Sequence, residues 1–145
     1  MALQGRIGKV ATELWSDDRG WILIAISAGH LLALGVRLIF PALLPQIKAE
    51  FSLTNATAGG LISLLWVSFA TAQLPGGILT DWVGERNSLV TSAVLATVAI
   101  GVIVLSPGLV FFVLGVLLFG FSTGLYGTPR LTVLSDIYPD FAETA

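Results

Sequence analysis

The stretch GILTDWVGERN, residues 77–87, joins two segments that contain no charged residue. One is residues 51–76 before it, and the other is residues 88–129 after it. A membrane-spanning helix needs about 20 predominantly apolar residues, so each segment is long enough to cross a bilayer at least once. The stretch 77–87 is therefore predicted to be a turn between membrane-spanning helices.

The composition of the whole chain agrees with a membrane environment. Of its 145 residues 55% are hydrophobic and 11% are charged, with a mean hydropathy of +0.91, whereas soluble domains carry about 25% charged residues. The net charge is −2 and no basic run is present, which argues against a nucleic-acid partner. With no cysteine and one histidine, we expect no metal centre and no cofactor. No nucleophile–base pair or phosphate-binding glycine loop is visible, so we expect no enzyme.

Charges and a proline divide the chain into four predicted spans. Arg37 is the only charge in residues 20–47, and the segment 88–129 is about two spans long with a break at Ser106-Pro107-Gly108. Proline lacks an N–H donor and glycine permits a tight turn. We therefore predict an all-α polytopic membrane protein with four transmembrane helices, at residues 21–45, 56–80, 88–106 and 108–131.

Lysines and arginines in the short flanks predict the orientation. If four spans alternate, Lys48 alone falls on one side, and the other side holds Arg6, Lys9, Arg19, Arg86 and Arg130. This asymmetry places the N-terminus and the stretch 77–87 in the cytoplasm. A multi-pass protein of the cell membrane, plasma or inner, is expected.

The two ends of the chain lie outside these spans. In residues 1–20, Leu3, Ile7, Val10 and Leu14 recur at helical spacing. Two interpretations stay open, an amphipathic helix in the membrane interface and a disordered tail. Residues 132–145 are expected to form a cytoplasmic segment that leads to a fifth helix absent from this sequence.

The turn 77–87 carries charges where helix dipoles disfavour them. Asp81 lies at the C-terminal end of one predicted span, and Arg86 lies at the N-terminal start of the next. Each misplacement costs about 0.3–1 kcal/mol, which indicates that the two charges have partners elsewhere. Gly77 would let another helix approach closely, and Gly84 supplies the tight turn.

This turn resembles the signature of the major facilitator superfamily, Gly-x-x-x-Asp-(Arg/Lys)-x-Gly-Arg-(Arg/Lys), which joins the second and third transmembrane helices. The matching positions are Gly77, Asp81, Gly84 and Arg86. Trp82 and Glu85 depart from it, because both positions are usually basic. The superfamily fold has two six-helix halves built from inverted repeats, so the four predicted spans resemble its helices 1–4. The resemblance implies a truncated or partial chain whose C-terminal half is missing.

The resemblance also implies a role for the turn. In the superfamily this loop is a conformational latch between the two halves. Asp81 would be the latch carboxylate, Gly77 its close-contact point and Arg86 its supporting cation. Asp136, beyond the fourth span, resembles the acidic member of the same charge network and is expected to pair with Arg86.

Arg37 is the first candidate for the substrate path, because a charge in the hydrocarbon costs at least about 2.5–3.5 kcal/mol. It would bind a carboxylate or phosphate through its planar fork of donors. Alternatively, it pairs with an acidic residue elsewhere or extends to the membrane surface. His30, two turns earlier on the same face, would carry a coupled proton or be a hydrogen-bonded packing residue. Weaker candidates for the cavity lining are Trp66, Gln73 and Tyr126.

Prolines, glycines and a cap predict local features of the spans. Pro41 and Pro45 remove backbone donors, so we expect a bend at the outer end of the first span. Thr54 or Asn55 is expected to cap the second span. Small residues in the fourth span predict close helix packing, and they are Gly115, Gly120, Gly124 and Gly127.

These features predict a secondary transporter that moves a small solute by alternating access. Its expected partners are membrane lipid, a small-molecule substrate and a coupling proton. In one interpretation the substrate is an organic or phosphate-bearing anion. The alternative is a non-transporting membrane fragment that packs with other membrane chains. A small four-span exporter is disfavoured, because such exporters rely on a glutamate in the first span and this span has no acidic residue.

Overall fold

The computed structural model describes residues 19–127 and residue 129. The described part is helical, and its elements are α1 Arg19–Ala42, α2 Leu44–Glu50, α3 Asn55–Val83, α4 Glu85–Val104 and α5 Leu109–Leu125. The all-α architecture predicted from the sequence is confirmed for these residues. The interfacial helix predicted near the N-terminus lies almost wholly outside the described residues, as do Arg130, Asp136 and the segment 132–145.

Three helices of the described chain are long and apolar enough to cross a membrane. They are α1 from Ile24 to Ala42, α3 and α4. Helix α5 is also apolar but has 17 residues, or about 26 Å at 1.5 Å per residue, against a hydrocarbon core of about 30 Å. A fourth crossing therefore stays a prediction.

The helix ends lie within three residues of the predicted span ends, apart from the end of α5. Helix α1 contains Pro41, ends one residue later and is separated by Leu43 from α2, which has Pro45 in its first turn. The helix is therefore interrupted in the region where Pro41 and Pro45 predicted a bend. Thr54 is the cap of α3, and its side-chain oxygen accepts a hydrogen bond of 3.2 Å from the backbone N–H of Thr57.

Helix α5 packs against both α3 and α4, and glycines bring its backbone close to its neighbours. An ideal Cβ at Gly120 would lie 2.5 Å from the carbonyl oxygen of Leu65, and one at Gly124 would overlap the carbonyl oxygen of Phe69. Gly115 makes the matching approach to α4. At Gly127 an added Cβ meets no described atom within 4 Å, so close packing there stays a prediction.

A hydrophobic core fills the space between these helices. Its buried members are Phe40, Leu61, Leu65, Ala99, Phe112, Val116 and Phe119. The ring of Phe40 on α1 lies 6.1 Å from that of Phe112 on α5, which attaches the end of α1 to the start of α5. Ser68 adds a polar contact, because its hydroxyl donates to the carbonyl oxygen of Leu117 at 2.7 Å and so links α3 to α5.

Candidate functional site

Gly84 is the single residue between α3 and α4. Its N–H donates to the carbonyl oxygen of Thr80 at 2.9 Å, and its carbonyl oxygen accepts from the N–H of Ser88 at 3.0 Å. Gly84 thus ends one helix and begins the next. Its φ of 80° and ψ of 160° lie in a region that is almost restricted to glycine. The tight turn predicted at this position is present.

A buried hydroxyl pair lies beneath this turn. Thr80 Oγ1 donates to the carbonyl oxygen of Gly76 at 2.8 Å and lies 3.2 Å from Ser88 Oγ, which joins the end of α3 to the start of α4. Sequence reasoning missed both hydroxyls. The sequence could have indicated them, since one hydroxyl residue lies four positions before Gly84 and another lies four positions after it. Each is about one helical turn from the glycine that joins the two helices.

The latch candidates Asp81 and Arg86 are exposed on either side of Gly84. Within residues 19–127 and 129, neither forms a hydrogen bond or an ion pair. Asp136, the predicted partner of Arg86, lies outside these residues. Gly77 is half-buried, and its role as a close-contact point stays a prediction. Its neighbour Gly76 does approach another helix, because an ideal Cβ there would lie 3.1 Å from Cα of Leu125.

The second candidate site is the guanidinium of Arg37, which α1 presents to two aromatic rings of α3. The Cζ atom lies 3.9 Å from the ring centre of Phe69 and 5.2 Å from that of Trp66. Arg37 is 6% exposed, and a desolvated contact of this kind stabilises by about 2 kcal/mol. Sequence reasoning had proposed Trp66 but missed Phe69, although their three-residue spacing puts both on one face of a helix.

The remaining substrate-path candidates are spread over the bundle. His30 is half-buried on α1, and Gln73 is exposed on α3, one turn beyond Phe69. Tyr126 follows α5, and its hydroxyl donates to the carbonyl oxygen of Ile26 at 2.9 Å. This bond holds the end of α5 against α1.

Tyr126 also lines a crevice of about 260 Å³ between α1, α4 and α5. Its wall contains the hydroxyls of Ser92, Thr97 and Ser122, and each of them donates to a carbonyl oxygen of its own helix. The crevice therefore presents a mostly apolar surface. The other four candidates do not line this crevice.

The family model of the Major Facilitator Superfamily matches residues 25–144. This chain belongs to that superfamily. Superfamily membership confirms the resemblance carried by the turn 77–87 and identifies the chain as a membrane protein. It leaves the roles of the individual latch and substrate-path residues as predictions.

Two curated proteins are similar to this superfamily member. Monosaccharide-sensing protein 2 of Arabidopsis thaliana is 35% identical over 125 residues, and membrane sensor protein UhpC of Salmonella typhimurium is 28% identical over 123 residues. The alignments cover 83% and 85% of this chain but only 17% and 24% of the relatives. The chain thus spans about a fifth of the length of the curated relatives it matches. No solved structure matches it.

Proposed function

We propose that this chain is the front portion of a secondary transporter that moves a small solute across the membrane by alternating access. The observation that carries the proposal is the superfamily match over residues 25–144. The short share of each relative that the chain covers supports a role as one part of a longer protein. In this role α1, α3, α4 and α5 form part of one half, and a second half completes the solute path.

The charges at the turn would couple the two halves. Asp81 and Arg86 are exposed beside Gly84, each at a helix end whose dipole disfavours its charge. A donor from the opposite half would stabilise the Asp81 carboxylate in one state of the transporter and release it in the other. The buried Thr80–Ser88 contact would keep the two helix ends together as the carboxylate changes partner.

Asp81→Asn in the full-length protein is expected to reduce solute uptake by about 10- to 100-fold, because a hydrogen bond to a charged group contributes about 1.5–3 kcal/mol. Glu85→Gln is the matched control, since it removes an acidic charge from the same turn at a position where the superfamily signature has a basic residue. Uptake is measured in vesicles, together with the amount of protein in the membrane. Equal uptake by the Asp81→Asn variant and the wild type would show that the turn is not a latch.

The buried cation on α1 indicates the class of solute. We propose that Arg37 binds an anionic group, because its fork of N–H donors matches a carboxylate or phosphate. The rings of Phe69 and Trp66 contact the guanidinium, and aromatic rings attract this cation through its flat face, whereas hydrogen bonds to an anion lie in its plane. One arginine can therefore use both kinds of contact.

Arg37→Lys is expected to weaken uptake of the transported anion by about 10-fold or more, because lysine keeps the charge but loses the bidentate geometry. The measurement is uptake of radiolabelled inorganic phosphate, a sugar phosphate, a monocarboxylate and a neutral hexose by vesicles with the full-length protein. Uptake of the hexose serves as the internal control for folding. If the lysine variant takes up every anion as the wild type does, Arg37 is not the substrate-binding cation.

A second candidate function is solute sensing, which is favoured because both similar proteins are named as sensing or sensor proteins. A sensor would bind the solute without moving it. Equilibrium binding without uptake would support this function. A membrane fragment that packs with other chains would show neither binding nor uptake, and it would co-purify with a membrane partner instead.

A further inference from the structure

Two aromatic rings of α3 hold the guanidinium of Arg37. The ring of Phe69 is the nearer one, with its centre 3.9 Å from Cζ, and the ring of Trp66 lies 5.2 Å away. The two rings are almost perpendicular, with an interplanar angle of 86° and centres 5.9 Å apart. Trp66 is 42% exposed, whereas Phe69 is half-buried, so Phe69 has the closer and better shielded contact with the cation.

A ring and an anion can bind different parts of one guanidinium. An aromatic ring attracts the cation through its flat face, whereas an anion accepts N–H groups that point outward in the guanidinium plane. A side chain as long as arginine has many rotamers, so its charge alone does not determine where the fork of donors points. A ring that holds the face of the guanidinium also limits the direction of the fork.

We propose that Phe69 is a positioning residue that orients Arg37 towards its anionic ligand, with Trp66 as the second ring. This inference rests on the proposed function, in which Arg37 binds the anion. It extends that function to a side chain with no charge and no hydrogen-bonding group. The contact also links α1 to α3 across the bundle, so the direction of the fork depends on how these two helices pack.

A single introduced cysteine tests the potential near Arg37, because this chain has no cysteine and any cysteine in the rest of the full-length protein can first be replaced by serine. Gln73 is exposed and lies about 6 Å along α3 from Phe69, at 1.5 Å per residue. A Gln73→Cys variant of the full-length protein in membrane vesicles is reacted with two thiol reagents, anionic 2-sulfonatoethyl methanethiosulfonate and cationic 2-aminoethyl methanethiosulfonate. The ratio of the two rates reports the local charge.

Arg37 is expected to raise the anionic-to-cationic rate ratio about tenfold above that of the Arg37→Met variant. Phe69→Leu is expected to lower the ratio about threefold, because the arginine keeps its charge but loses the ring that orients it. Phe69→Tyr should restore the wild-type ratio. Phe111→Leu is the matched control, since Phe111 on α5 is 54% exposed and makes no contact with Arg37. An unchanged ratio in the Phe69→Leu variant would overturn the proposal.

A second measurement does not depend on solute or reagent access. In a double-mutant cycle of Arg37→Met and Phe69→Leu, the effects on the unfolding equilibrium constant are expected to deviate from additivity about tenfold. Additive effects would also overturn the positioning role. If the cysteine at position 73 reacts with neither reagent, this position is not reached by water. That result would contradict a solute path past Gln73, which belongs to the proposed function. The double-mutant cycle then decides the role of Phe69 alone.

Discussion

Gly124→Ala is expected to lower the free energy of unfolding by about 3 kcal/mol, although it adds only one methyl group. The new Cβ would overlap the carbonyl oxygen of Phe69 and lie 2.6 Å from Cβ of Ala72. The first of these atoms belongs to the backbone of α3, so no side-chain rotation relieves the overlap. The helices must move apart, which also lengthens the hydrogen bond from Ser68 to Leu117. Equilibrium unfolding in detergent micelles, followed by circular dichroism, measures the loss.

Gly101→Ala is the matched control for this substitution. Gly101 lies in α4, and a Cβ there meets no described atom within 4 Å. The same substitution should therefore leave stability unchanged or raise it by up to about 1 kcal/mol, because alanine favours a helix more than glycine does. If the variants at positions 101 and 124 unfold at the same denaturant concentration, α5 does not approach α3 as closely as described.

The superfamily and the helix boundaries could be predicted because they depend on local chemistry. Asp81 and Arg86 end the uncharged segments on either side of Gly84, and Pro107 interrupts the segment that follows. Charges are costly in hydrocarbon and proline cannot donate a hydrogen bond, so these residues indicate where an apolar span ends to within about one helical turn. Pro75 shows that proline alone does not end a helix, because it lies inside α3. The same reasoning predicted the cap at Thr54 and the interruption after Pro41.

The candidate site was harder to predict, because it depends on which faces of the helices meet. The position of Arg37 on α1 follows from the sequence, but its partners depend on the rotation of α3 about its axis. That rotation brings Phe69 to the cation, whereas the packing of α5 against α1 and α4 places Tyr126 on the crevice between those three helices. Spacing alone could not separate Gly124, which contacts α3, from Gly127, which meets open space among the described residues.

Gly84→Ala is expected to lower the free energy of unfolding by about 2 kcal/mol, for a reason different from that at Gly124. No described atom lies within 4 Å of a Cβ added to Gly84, so the cost is in the backbone conformation and not in packing. Gly84→Asn should cost as much, because asparagine tolerates a positive φ only where ψ is about 30–60°, and here ψ is 160°. Gly59→Ala in α3 is the control, since that glycine is helical and also meets no described atom within 4 Å.

The Gly84 variants also separate the shape of the turn from its charge. Because Gly84 accepts from Ser88 and donates to Thr80, a change in its dihedral angles moves both helix ends and the exposed Asp81 beside them. Gly84→Ala should therefore reduce both stability and uptake. Asp81→Asn should reduce uptake and leave stability nearly unchanged, because an exposed side chain with no partner among residues 19–127 and 129 contributes little to folding. Loss of stability in the Asp81→Asn variant would show instead that this carboxylate is bound within its own half of the protein, where it could not act between the halves.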